Sequence, residues 1–561
     1  MTDTSTDLGS ARAEWAREYE SQVPDAAPRF NRSGVRIEPL YGPDTRGPDC
    51  SGDPRHPERL GLPGQPPYTR GIHASMHRGR PWSPRMVVGF GVPQDYNQRM
   101  RGLYALGLTG LFVSPCNSHL RGYDPDEVDR ELLGTCGTLI STSDDMDVCL
   151  DGLPFDRESI SVGDTAPYTL TAMLLKVARQ RSIPWDRLAG TTNQSDYLSH
   201  YAALHMFYRL ALPGQKRILL DHIDWMNRHA PRWNPLSVVG QHMQQAGATP
   251  AQAMGLAISS AIQYANDMRD RGRDPDVFLR RFSFFFDVSI SFFEEIAKFR
   301  AGRRIWGRLT RERFGARDPR AQKFRFHTQT SGADLTRQQP LNNIARVAVQ
   351  AMAGIFGGLQ SLHTDSFDEA LGIPTETTAR VAVATQNILR EEAGLADVID
   401  PLGGSYYVEA LTDAMEEKIL EVIRAVDEQG GMYAAVQSGF VQRMIGRSAL
   451  EFQQQIDAGE RIVVGVNGYR HEESAAERPP TLERPSPERL DRYLAQFRAF
   501  KARRSQAAVE RALDELARAF DDPQANTYGA VVQAIDVGAT HGEVCARARS
   551  AAGFGEPLVV V

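Results

Sequence analysis

The chain has 561 residues, 41% of them apolar and 24% charged, which is enough for a large buried core and too many for one small domain. Its 64 basic and 70 acidic residues give a net charge of −6, which argues against a nucleic-acid-binding protein. The five cysteines form no CxxC pair, so neither a disulfide framework nor a zinc site is expected, and a reducing compartment is favoured.

The polar N-terminus has no apolar signal core, and no run of about 18 apolar residues could span a membrane, so a cytoplasmic chain is expected. Residues 1–84 read as a short helix (ARAEWAREYESQV) followed by an extended arm rich in Pro, Gly and Arg. The arm carries Tyr68, Arg70, His73, His77, Arg78, Arg80 and Trp82, a set suited to holding something anionic. From residue 85 to 400, short apolar runs alternate with amphipathic helical stretches. The runs are 86–91, 110–115, 159–164, 189–194, 236–242, 281–287, 324–330 and 358–364. Eight βα units predict an α/β fold, a (β/α)8 TIM barrel. Residues 401–561 read as a mainly helical region: helix over 408–460, a short apolar run at 462–469, a Pro/Glu-rich linker over 471–488, a charged helix over 489–521 and a last helical piece over 526–552.

In such a barrel the chemistry sits at the C-terminal strand ends. Here those ends carry mostly neutral polar groups: Cys116 and Asn117, Asp164, Asn193 and Gln194, Gln241 and His242, His327 and Gln329, Gln360 and His363. No carboxylate pair is spaced for glycoside hydrolysis, and no metal-ligand spacing stands out. Ser161, Thr191, Thr192, Ser237 and Ser283 predict a small, polar barrel axis where Val, Ile and Leu are usual, so a long polar ligand could be threaded there.

Seven segments carry a family resemblance: YTRGIHASMHRGRPW (68–82), RGYDPD (121–126), GQHMQQAGAT (240–249), RFSFFFDVSISFFEEIAKFRAGRRIW (281–306), RFHTQTSGADLT (325–336), QSLHTDSFDEALGIPT (360–375) and VIDPLGGSYYVEALT (398–412). With them the chain resembles the large subunit of the coenzyme B12-dependent acyl-CoA mutases, typified by methylmalonyl-CoA mutase. The resemblance implies a barrel through which the CoA chain is threaded and adenosylcobalamin as cofactor. The cofactor's 5′-deoxyadenosyl radical takes a hydrogen from the acyl group, the carbon skeleton rearranges, and the hydrogen returns. It implies that His242 hydrogen-bonds the thioester carbonyl, the plainer alternative being a satisfied core histidine. Ser75, Met76, Arg80, Asn234, Arg281, His327, Gln329 and Gln360 match positions lining the CoA tunnel or acyl site, and Ser283 belongs with them. For Arg281 and Gln360 the alternative is an internal salt bridge or a packing contact. Glu369 matches a glutamate near the adenosyl ribose; its alternative is a charge at a helix N-terminus.

Four departures bear on substrate. Val87 stands where the resemblance puts Tyr in methylmalonyl-CoA, Phe in isobutyryl-CoA and Ile in 2-hydroxyisobutyryl-CoA enzymes. The smaller side chain favours a branched or tertiary acyl carbon, against ordinary strand packing. Leu204 aligns with the arginine that clamps a free carboxylate, with Arg209 nearby as a relocated clamp. Cys116 and Asp164 would be new polar groups in or near the acyl pocket. Asp164 could accept from a substrate hydroxyl, or be a loop residue or helix cap. Gln241 stands where a Tyr usually precedes the histidine, and Gln194 ends strand four.

No DxHxxG cobalamin-binding motif occurs, so the expectation is a stand-alone large subunit needing a separate small cobalamin-binding subunit, docked at the barrel mouth. By analogy, a large-subunit dimer within a heterotetramer and a GTPase chaperone are further expectations. The expected substrate is a short branched acyl-CoA, with or without a hydroxyl and lacking a free carboxylate. The alternatives are an isobutyryl-CoA or methylmalonyl-CoA mutase subunit, or a non-catalytic CoA-binding paralogue.

Overall fold

The computed structural model describes residues 8–24, 29–30, 36–37, 39–40, 60–204, 210–471 and 484–555. An N-terminal helix, Leu8–Gln22, precedes a two-residue ribbon, β1 (Arg29–Phe30) against β2 (Arg36–Ile37). All later strands are parallel. They are β3 (Ser83–Arg85), β4 (Gly110–Val113), β5 (Ser159–Gly163), β6 (Gly190–Asn193), β7 (Trp233–Asn234), β8 (Leu236–Val239), β9 (Phe282–Val288), β10 (Phe326–Thr330) and β11 (Ser361–His363). One sheet has the order β3-β11-β10-β9-β8 and the other β4-β5-β6-β7.

Pro235 alone separates β7 from β8. Having no N–H, it interrupts the ladder, and the chain changes partner there, from β6 on one side to β9 on the other. Taken as one run, β7 and β8 join the sheets and make eight parallel strands. At the opposite seam, Thr109 N–H donates to the Pro84 carbonyl at 3.3 Å, and Arg85 Nη1 donates to the Leu111 carbonyl at 3.0 Å. Arg85 can cross because Gly110 has no Cβ; one would lie 2.7 Å from Arg85 Cγ. This α/β arrangement is compatible with a (β/α)8 barrel.

Alternation along the strands sorts the side chains. Register pairs Ser237 with Ser283 and Val238 with Phe284. One face is therefore Ser-, Thr- and His-rich, while Leu111, Ile160, Val162, Val238, Phe284 and Phe286 on the other pack under the helices. Those helices include Pro93–Ala105, Thr169–Gln180, Leu212–His229, Pro250–Asp270, Phe292–Phe314, Asn342–Gly357 and Glu376–Asn387. No helix among the described residues is long and apolar enough to cross a membrane.

Several sequence boundaries change. The first run, 86–91, leaves the ladder, which holds only Ser83–Arg85. Beyond it Gly91 N–H bonds to the Gly134 carbonyl and Gly137 N–H to the Gly89 carbonyl, so the loop after β4 takes this segment's hydrogen bonds. Gln241 and His242 lie on a helix, Gln241–Gln245, rather than at a strand end. The 408–460 helix divides into Tyr406–Glu428, Met432–Gln437 and Phe440–Asp457. The 489–521 helix divides at Ser505, which caps Gln506–Asp521 after Pro487–Arg503 ends. The last piece divides at Gly538, where Thr540 and Glu543 form a capping box for His541–Ala552. Residues 462–469 form a turn closed by Gly465 N–H on the Gly468 carbonyl. The proposed linker lies mostly outside the described residues.

Candidate active site

The polar face of the strands encloses a cavity of about 610 Å³. Ser159 and Ser161 of β5, Thr191 and Asn193 of β6, Asn234 of β7, Ser237 of β8, Ser283 of β9, His327 of β10 and Ser361 of β11 line it. Ser159 and Ser161, and Thr191 and Asn193, recur at i and i+2, as one face of a strand requires. Thr192 does not join them. Its hydroxyl accepts from Trp233 Nε1 at 2.8 Å on the opposite, helix-covered face. The walls brace themselves: Ser283 Oγ donates to the Leu236 carbonyl at 3.0 Å, and Asn234 Nδ2 to Thr191 Oγ1 at 3.3 Å. His327 Nδ1 meets Ser361 Oγ at 2.8 Å. Burial, then the Arg85 guanidinium, holds the His327 imidazole well below the usual histidine range, so it is a neutral wall group.

The cavity opens where the strands begin, under the N-terminal arm. Ser75, Met76, His77 and Arg80 form its rim. The Leu8–Gln22 helix holds the arm in place. Trp15 Nε1 donates to the Ala74 carbonyl at 3.1 Å, and Gln22 Oε1 accepts from both Ser75 N–H and Ser75 Oγ. From within, Arg303 donates to the carbonyls of Tyr68, Thr69 and Gly357. The mouth is strongly cationic. Arg325 lines it; burial, then Arg281 and Arg320, lowers its pKa to about 10. Arg325 Nε and Nη2 and Arg281 Nε have no hydrogen-bond partner among the described residues. Of the nearby carboxylates, Asp318 is already paired with Arg320, and Glu18 acts on Lys323. His73, walled in although its edge is open, is lowered to about 4, first by burial and then by Lys323, Arg325 and Arg80. Unpaired cations around a neutral histidine form a receptor for a polyanion.

At the other ends of the strands a second group of polar residues gathers. Val87 N–H donates to His363 Nδ1 at 3.1 Å. The remaining imidazole proton is thereby placed on Nε2, which donates to Asp365 Oδ1 at 2.9 Å. Gln329 Nε2 donates to the same oxygen at 3.0 Å. Asp365 Oδ2 and Asp368 Oδ1 are buried with no hydrogen-bond partner among the described residues. Glu369, following closely, has its carboxyl pushed well above the usual range by burial and by Asp365 and Asp368. Gln194 has a left-handed backbone (φ 62°), and its carbonyl meets His200 Nε2 at 3.0 Å. His200 in turn lies 5.1 Å, ring to ring, from His242.

The strands thus hold a polar cavity with a cationic mouth, and a separate histidine-and-carboxyl group gathers at their other ends; the comparisons give the chain a family. Residues 30–554 match the family described as methylmalonyl-CoA mutase. The chain belongs to that family. The 2-hydroxyisobutanoyl-CoA mutase large subunit of Aquincola tertiaricarbonis is 37% identical to it over 497 residues, 87% of this chain and 86% of that protein. Methylmalonyl-CoA mutase of Escherichia coli (strain K12) is 37% identical over 517 residues, 91% of this chain and 70% of that protein. The mitochondrial methylmalonyl-CoA mutase of Homo sapiens is 35% identical over 538 residues, 95% of this chain and 70% of that protein. The chain is therefore an isomerase of the acyl-CoA mutase class.

Within this mutase, the cavity brings together Ser75, Met76, Arg80, Asn234, Ser283, His327 and Gln360. Ser75 and Gln360 are committed to internal bonds: Gln360 Oε1 accepts from Phe326 N–H and its Nε2 donates to the Gly358 carbonyl. Arg281 stands beside the mouth. Val87, Gln194, His242 and Glu369 lie beyond the cavity, after the strands, and Gln329 lies beyond it near the end of β10. Two expectations are corrected. Asp164 is fully buried and accepts from Thr171 N–H at 2.8 Å at the start of the Thr169–Gln180 helix, so it caps a helix instead of facing the cavity. Cys116 packs with Val92, Leu133, Leu139, Leu490 and Tyr493 in a separate apolar cluster. Leu204 is 51% exposed, and Arg209 lies outside the described residues. Sequence reasoning passed over Arg325, Lys323, Arg85, Ser361 and Asp365. The i, i+2 spacing Arg325–His327–Gln329 and Ser361–His363 was the available signal for two of them, Arg325 and Ser361.

Proposed function

We propose that the chain is the large, substrate-binding subunit of an adenosylcobalamin-dependent mutase acting on a short branched acyl-CoA without a free carboxylate. On this reading the two sheets close into one (β/α)8 barrel over residues 85–400, with residues 401–561 as a helical appendage. The observation that carries the reading is the polar cavity of about 610 Å³ inside the strands, whose mouth holds arginine nitrogens without a hydrogen-bond partner among the described residues. Coenzyme A has that form: a polyanionic nucleotide end and a long amide-bearing arm. Arg80, Arg325, Lys323 and Arg281 would hold the phosphates. The Ser, Thr and Asn side chains would meet the pantetheine amides, and His242 would donate to the thioester carbonyl.

The end after the strands fits the adenosyl group. Two carboxylate oxygens without a partner among the described residues, and the Glu369 carboxyl beside them, offer hydrogen-bonding groups to ribose hydroxyls. When bound, adenosylcobalamin supplies radical hydrogen transfer; the protein's part is positioning and exclusion of water. The Val87–His363–Asp365–Gln329 chain of hydrogen bonds ties three strand ends into one rigid rim around that region.

The charge of this end supports a substrate without a free carboxylate. Its carboxyl groups Asp365, Asp368 and Glu369 lie beside His363, and a substrate carboxylate would face those carboxyls. Val87 leaves room for a branched carbon, and the large-subunit relative named for 2-hydroxyisobutanoyl-CoA supports the same class, with a small cobalamin-binding subunit as partner. Calorimetric titration with coenzyme A, without cofactor or partner, tests the channel. One-to-one binding that weakens with added salt is expected, and no binding by coenzyme A or any acyl-CoA would sink the reading.

A further inference from the structure

We propose that Gln244, Lys298 and Glu295 form a positioning unit that fixes the direction in which His242 points, an inference that rests on His242 being the residue that meets the thioester. His242 sits on a helix of five residues, Gln241–Gln245, too short to hold its own orientation. Its start is pressed against Phe286, since Gly240 is the turn residue and a Cβ there would run into that ring. Its far face is clamped. Gln244 Nε2 donates to Glu295 Oε1 at 2.7 Å, and Gln244 Oε1 accepts from Lys298 Nζ at 3.0 Å. Lys298 and Glu295 are paired with each other and wholly buried. Lys298 also donates to the Asp287 carbonyl at 2.9 Å and lies 4.5 Å from the Phe299 ring centre. Ser289 Oγ adds a bond to Glu295 at 2.7 Å, and Gln245 Nε2 reaches Asp287 Oδ1 at 3.2 Å.

A buried ion pair is a poor source of stability compared with apolar packing, so its use here calls for another reason. That reason is direction. Opposite charges at the two ends of one amide permit a single orientation of Gln244, with the carbonyl toward the ammonium and the NH2 toward the carboxylate. At 3.6 residues per turn, His242 lies about 200° around the helix from Gln244, on the opposite face, where its ring lies 5.1 Å from that of His200. A rotation of about 20° would carry a ring atom about 6 Å from the axis through about 2 Å. Misplacement of about 1 Å can cost about 100-fold in rate.

The test uses the full chain with 13C-labelled histidine, the His242 resonance being assigned by its loss in His242→Ala. Gln244→Met conserves volume and leaves the Lys298–Glu295 pair intact, so folding is retained. It is expected to move the His242 resonance. With a cobalamin-binding small subunit, adenosylcobalamin and 2-hydroxyisobutanoyl-CoA, it should lower kcat about 100-fold with KM within about threefold. Added to His242→Ala it should cost nothing further. The exchange Gln244→Glu with Glu295→Gln trades amide for carboxylate and should restore both resonance and kcat. An unmoved resonance in Gln244→Met, or no restoration by the exchange, overturns the proposal. Full turnover by His242→Ala overturns the role of His242 instead, and the resonance still decides whether the clamp orients it.

Discussion

Ser161→Leu separates an open channel from a packed core. Ser161 lies mid-strand in β5, in register with Phe112 and Thr191, and lines the cavity. Leucine replaces the hydroxyl with three carbons. Burying them is worth about 2 kcal/mol at ~0.8 kcal/mol per methylene, against about 1–3 kcal/mol if the site were already filled. Because the cavity of about 610 Å³ can take the side chain, the overpacking cost does not arise, and carbons that still face channel water gain only part of the burial term. The unliganded protein should then melt within about 2 °C of the parent. With coenzyme A threaded past β5, the same carbons occupy its path. Displacing them or the ligand costs about 1–3 kcal/mol, a loss of roughly 10- to 100-fold in affinity. Thermal melting and calorimetry on the same sample read both quantities. Unchanged affinity in a folded variant would refute the threading argument, and a large fall in melting temperature would refute the open channel.

Arg325→Ala should weaken coenzyme A binding about 10- to 100-fold by removing a charge-assisted contact, and should reduce the salt dependence, while melting stays the same or rises; calorimetry at two salt concentrations checks this. Asp400 links buried Arg300 to Arg70. Against burial, which would raise it, these two guanidiniums hold its carboxyl below the usual range. Asp400→Asn should therefore cost about 3–5 kcal/mol in urea denaturation, because Arg300 is left buried without that partner; the parent's share is present above about pH 4 and lost as pH falls through the depressed value. Asp124, which accepts from Thr540 and Gly542 at the start of the last helix, is pushed up to about 7 by burial. A carboxyl raised in this way stabilises fully below about pH 4, and that share is lost as pH rises through about 7. Asp124→Asn should flatten the pH dependence of urea stability across that window; an unchanged slope would refute it.

Much of this was legible in the sequence. The apolar runs located the strands because one of their faces packs under helices, and the Ser and Thr interruptions marked the other face. What was missed depends on pairs distant in sequence. Nothing local tells that Pro235 moves the chain from one sheet to the other, or that His363 accepts a hydrogen bond from Val87 N–H and donates one to Asp365. Asp164 and Cys116 were misplaced because a polar residue at a strand end can face either the cavity or the next helix, and alternation stops where the strand stops. Thr192 was misplaced for a simpler reason: it follows Thr191, and adjacent strand residues point opposite ways. The helix breaks at Ser505 and Gly538 interrupt sequences that otherwise keep helical periodicity.

The most direct test incubates the chain with a cobalamin-binding small subunit, adenosylcobalamin and a panel of acyl-CoA thioesters, and follows isomer formation by mass spectrometry. The account predicts rearrangement of a branched acyl-CoA, such as 2-hydroxyisobutanoyl-CoA, and none of methylmalonyl-CoA, whose carboxylate would face Asp365, Asp368 and Glu369. Rearrangement of methylmalonyl-CoA, or of nothing in the panel while coenzyme A and the small subunit both bind, would contradict it.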